Sequence, residues 1–107
     1  MINEKIEGYW YSELSSEYPM PVKDVLTEQE AIKIYGLIKL KEEEARLIRY
    51  KGPTRSRITG EYLGSREYAT LEWRWPADFA KHYVLENRVK PTDEFLDYIG
   101  YKHTKNK

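Results

Sequence analysis

Residues 54–75 read TRSRITGEYLGSREYATLEWRW. Two runs rich in Thr, Ile, Tyr and Trp, TRSRIT (54–59) and REYATLEWRW (66–75), flank the glycine-bounded link GEYLG (60–64). β-Branched and aromatic residues suit a pleated, half-buried surface, and glycines at both ends of a short link suit a turn. The stretch predicts a β-hairpin, and a hairpin puts a sheet at the centre of the fold.

Toward the N-terminus, ARLIRYKG (45–52) follows Glu42-Glu43-Glu44 and reads either as more helix or as a strand, ended in both cases by Gly52-Pro53. Before it, Thr27-x-x-Glu30 is a capping box, and Ala31, Ile34, Tyr35 and Ile38 share one helical face. A helix is expected over 28–40, with Gly36 as its weak point at about 1 kcal/mol. IEGYWYSEL (6–14) suits a strand, and the two prolines of SSEYPMPV (15–22) suit extended chain.

Toward the C-terminus, Trp75-Pro76 is expected to open a helix, with Pro76 in its first turn and Asp78 at the positive end of its dipole. Thr92 should cap a last short helix, DEFLDYI (93–99), stopped by Gly100, with a polar tail from about 101. The expected fold is α+β in one domain over 1–107. A small antiparallel sheet of three or four strands packs with about three helices, and Trp73, Trp75, Phe79, Tyr83, Phe95, Leu96 and Ile99 form one core.

The chain has 107 residues, enough for one core, and is 34% charged and 14% aromatic, too aromatic for a disordered chain. Its ten tyrosines and three tryptophans serve either a small core or a binding face. No cysteine is present, so disulfides and thiolate chemistry are excluded and a reducing cytosol is the easier home. MINEKIEGYWYSE has no apolar run before a cleavage site, and no stretch is apolar for long enough to span a bilayer. A cytoplasmic protein with no membrane partner is expected.

Ser56-x-x-Thr59, then His82 and Asn87, fall on a hairpin followed by a helix. With Cys at the first two positions and His at the last, this spacing would close a tetrahedral zinc site. The run S-R-I-T-G-x-x-x-G-S-x-E-Y, followed by W-P-x-x-F and H-Y, resembles small uncharacterised bacterial domains. In those, C-R-I-C-G, W-P and H-Y-x-x-x-H would be the pattern. The resemblance spans roughly residues 50–97 and implies no activity. This chain departs from it at Ser56, Thr59 and Asn87, whose side chains are poor zinc ligands. The four residues are expected to be either a degenerate metal site held by hydrogen bonds or an accidental spacing. No metal or other cofactor is expected in either case.

Charge is unevenly spread along a neutral chain. Residues 1–44 carry five Lys/Arg against ten Asp/Glu, and residues 45–107 carry thirteen against eight. In the basic half, Arg46, Arg49, Lys51, Arg55, Arg57 and Arg66 interleave with Tyr50 and Tyr62. That pattern suits phosphate and stacked bases, unless Glu42, Glu43, Glu44, Glu61 and Glu67 pair with the arginines. A pI near 6.7 argues against nucleic acid as the first choice.

Catalytic signatures are missing. There is no glycine-rich phosphate loop, no G-x-S-x-G and no H-E-x-x-H, and the only histidines are His82 and His103. The favoured expectation is therefore a non-catalytic protein-binding module. Its best concrete form is an immunity- or antitoxin-type inhibitor that covers a partner protein, a nuclease toxin being one such partner. Tyr9, Tyr11 and Tyr18 would anchor it, with Glu13, Glu17, Asp24, Glu42, Glu43 and Glu44 steering the approach. The alternative is a nucleic-acid-binding domain that uses the basic hairpin over 46–66.

Overall fold

The computed structural model describes residues 5–8 and 20–102, and for 50–54 the backbone alone. The order is β1 (Lys5–Ile6), α1 (Glu28–Glu42), β2 (Arg46–Arg55), β3 (Tyr62–Ala69), β4 (Trp73–Pro76), a π-type helix (Phe79–Glu86) and α2 (Asp93–Ile99). The fold is α+β, as the hairpin requires. The strands lie in the order β1-β4-β3-β2. β2 and β4 run antiparallel to β3, but β1 runs parallel to β4, so the sheet is mixed rather than wholly antiparallel. The chain between β1 and β4 is long enough for such a crossover.

The capping box forms as expected. Thr27 Oγ1 accepts from the Glu30 amide at 3.1 Å, and the Glu30 carboxylate accepts from the Thr27 amide at 2.8 Å. The helix ends at Glu42, and the chain returns as a strand from Arg46, which resolves the ambiguity of 41–50. Three carboxylates at the negative end of a helix dipole are a poor continuation. Gly52-Pro53 does not end β2, contrary to expectation. β2 is an edge strand whose register with β3 slips between Arg49 and Thr54, and edges and bulges are where proline is tolerated.

Two further boundaries move. Ser56–Thr59 is turn rather than strand, and the run 66–75 breaks after Ala69 into β3 and β4. Thr70 Oγ1 makes that break by accepting from the amides of Glu72 and Trp73. Pro76 closes β4 instead of opening a helix, which begins only at Phe79. A residue preceding proline is held in extended conformation, so Trp75 stays in the sheet. The part of the expected 6–14 strand beyond Gly8 lies outside the described residues.

The expected core forms. Trp73, Trp75, Phe79, Tyr83, Phe95, Leu96 and Ile99 are buried in one cluster with Ile34 and Ile38 of α1. Phe95 receives three rings edge-on: Trp73 at 5.1 Å, Trp75 at 5.5 Å and Phe79 at 5.8 Å. Such edge contacts add to area burial. Gly8 borders this cluster at φ +81°, and a Cβ there would stand 2.6 Å from the Phe79 ring, so only glycine fits. Glu7, beside it, accepts from the amide and hydroxyl of Thr92, tying β1 to the start of α2.

Candidate functional site

Ser56 and His82 meet although twenty-six positions separate them. Ser56 Oγ accepts from the amides of Ile58 and Thr59 at 3.0 Å each, a Ser-type turn that curls the chain into Gly60 at φ +80°. The same oxygen lies 2.7 Å from His82 Nε2. His82 Nδ1 stands 3.3 Å from Glu61 Oε1 and 3.6 Å from Glu86 Oε1. With carboxylates on Nδ1, that nitrogen is the donor and Nε2 accepts the Ser56 hydroxyl hydrogen. Beside them, Tyr83 Oη accepts from the Arg57 amide at 3.1 Å. Burial raises the Tyr83 phenol above its ordinary range, opposed by the Arg57 amide and the Ser56 hydroxyl.

Carboxylate, imidazole and hydroxyl thus follow one another in the order of a Ser-His-acid triad. A hydroxyl oxygen has two lone pairs; this one accepts from two turn amides and has His82 Nε2 and the Tyr83 phenol as further neighbours. Ser56 is also buried. These contacts form a knot that ties the 56–60 turn to the π-type helix.

The other two residues of the expected cluster do not converge on His82's ring. Thr59 is exposed and accepts from the Glu61 amide, and the Asn87 side chain donates to the His82 carbonyl at 2.8 Å, closing the helix end. A hydroxyl, a second hydroxyl and an amide around one imidazole are not a zinc donor set. Among the described residues no group of three or more His, Asp or Glu is arranged to hold an ion.

His82 also lines a cleft of about 520 Å³ with Asp78, Glu61, Glu86, Lys39 and Lys81. Burial pushes the Asp78 carboxyl up to about 6, against its own backbone hydrogen bond and the nearby His82. Nothing in the sequence placed Glu61, Glu86 and Asp78 beside His82: Glu61 was expected to pair with arginines and Asp78 to serve a helix dipole, and only the register of the turn against the helix brings them here.

The basic residues divide. Arg46, Arg49, Arg55, Arg57 and Arg66 are exposed, and the Lys51 side chain lies outside the described residues. Arg49 and Arg66 are direct cross-strand neighbours. Arg55 turns its guanidinium onto the Gly60 carbonyl.

The acidic residues divide as well. Glu43 and Glu44 are exposed. Glu42 is not available for steering as expected: it is buried, accepts from Trp75 Nε1 at 3.2 Å and pairs with Lys39 at 2.7 Å. Glu67, expected to offset the arginines of the hairpin, is buried and bonded to Arg74. Asp24 is exposed and pairs with Arg88. Tyr9, Tyr11, Glu13, Glu17 and Tyr18 lie outside the described residues, and among those described no helix is long and apolar enough to cross a membrane. No family model matches the chain, and comparison with curated proteins and with solved structures yields no match.

Proposed function

We propose that the chain is a small protein-binding module that inhibits a partner by covering its working surface, in the manner of bacterial immunity and antitoxin proteins. Leu71 is the observation that carries this. It is 92% exposed in the turn between β3 and β4, and it lines a shallow cleft of about 270 Å³ with Glu44, Glu72, Thr70 and Tyr98. Leu40, near the end of α1, and Leu47, near the start of β2, are also exposed.

Isolated surface leucines are ordinary. A nearly bare leucine beside a tyrosine, with Glu44, Glu72 and Lys41 lining the same cleft, has the form of an apolar anchor inside a charged rim in which acids outnumber the one lysine. The carboxylates would draw in a basic partner, a nuclease toxin being one such protein. Inhibition by occlusion needs no cofactor and no catalytic group. The lack of cysteine suits a reducing cytosol.

The test is co-purification of the native chain from its own cells, beside a Leu71→Ala/Glu44→Lys variant whose fold is checked by circular dichroism. The wild type should retain a stoichiometric protein partner that the variant loses. Recovery of nucleic acid alone, or turnover of a substrate by the isolated chain, would overturn the proposal.

A further inference from the structure

The middle and start of β3 have a different character. Arg49 and Arg66 face each other directly across β2 and β3, where like charges oppose the pairing. Among the described residues neither has a carboxylate within ion-pairing distance, because Glu67, the next acid along β3, is buried against Arg74. Both arginines line a cleft of about 440 Å³ with Tyr62, Gly64 and Ser65. The Tyr62 side chain is 61% exposed, and a Cβ built at Gly64 would meet nothing within 4 Å, so among the described side chains the floor between ring and guanidiniums is open. Arg55, opposite Tyr62, and Arg57 continue the basic edge.

We propose that Arg49 and Arg66 clamp a backbone phosphate of single-stranded nucleic acid, with a base stacked on Tyr62. Two forked guanidiniums with no acid between them match the geometry of a phosphodiester. An exposed ring in the same cleft gives a base its platform, and stacking of this kind tolerates any sequence. A duplex would keep its bases from that ring. This surface is separate from the Leu71 end and does not depend on the protein-binding proposal.

The experiment is fluorescence-anisotropy titration of labelled single-stranded RNA and DNA 15-mers against the full chain over a salt series, with a duplex 15-mer and inorganic phosphate as competitors. Wild type should bind single strands, lose affinity as salt rises and yield to phosphate only weakly. Arg49→Ala/Arg66→Ala should weaken binding at least tenfold and flatten the plot of log K against log salt by about 0.7, the value for one phosphate no longer neutralised on a single strand. Tyr62→Ala should weaken binding and leave that slope unchanged. Relief of the like-charge pair should hold or raise the melting temperature of the double variant, which separates lost contacts from lost fold. Absence of binding at low salt, full competition by phosphate, preference for duplex, or wild-type affinity in the double arginine variant would each overturn the proposal.

Discussion

The Ser56 hydroxyl contacts two turn amides, the His82 ring and the Tyr83 phenol. Ser56→Ala leaves those amides and Nε2 without their partner in a buried place. Stability should fall by about 1–3 kcal/mol, read from the urea midpoint at unchanged slope. A loss below a few tenths of a kcal/mol would mean that the knot is not holding the turn. Asp78 supplies a pH dependence. Its carboxyl sits at about 6 against an ordinary 3.8, so the folded chain binds more protons than the unfolded one between those values. The stabilising contribution is full below that window and is lost as pH rises through it. Glu7, also raised by burial, acts with the same sign. Asp78→Asn should flatten the decline in stability between pH 4 and 6 without abolishing it, and an unchanged decline in urea titrations would remove Asp78 as its source. At this scale the zinc-like spacing put Ser56 and His82 in one candidate cluster, with an accidental spacing as the alternative, and the structure brings those two together. The sequence could not reveal Glu61 or Asp78, whose roles come from burial and from contacts remote along the chain.

Among the elements, α1 was the most legible because its start is written in a local code. Thr27 and Glu30 need no tertiary partner to satisfy each other's backbone groups. Its interior carries one flaw. Gly36 is exposed, and a Cβ there would touch nothing within 4 Å. Gly36→Ala should stabilise the protein by about 0.5–1 kcal/mol, visible as a higher thermal midpoint, because alanine restricts the unfolded chain and suits the helix. A lower midpoint would contradict the assignment of that surface as open. The strands were less legible for physical reasons. Proline in β2 reads as a stop unless the strand is known to be an edge, and edge position is a property of the sheet. The break after Ala69 depends on Thr70 Oγ1 accepting from two amides, which composition does not announce.

At the scale of the whole molecule, β3 is a ruler with a different chemistry at each end. From Tyr62 to Ala69 it spans roughly 23 Å at about 3.3 Å per residue. Its start carries Tyr62 and its middle the opposed arginines, and its far end leads into Leu71 with Lys41, Glu44 and Glu72. The His82 knot is a third feature, and the proposed roles differ: the knot holds shape, while the Leu71 end binds a protein. Kinetics with the co-purified partner test this most directly, on the wild type, Leu71→Ala, Glu43→Lys/Glu44→Lys and Ser56→Ala, all under conditions where each is folded. Leu71→Ala should raise the dissociation rate about tenfold or more, as loss of an anchor does. Charge reversal should slow association and reduce its salt sensitivity. Ser56→Ala should leave both rates at wild-type values. Wild-type kinetics in Leu71→Ala and in the charge-reversed chain, or binding abolished by Ser56→Ala in a folded protein, would contradict the proposal that partner binding resides at the Leu71 end.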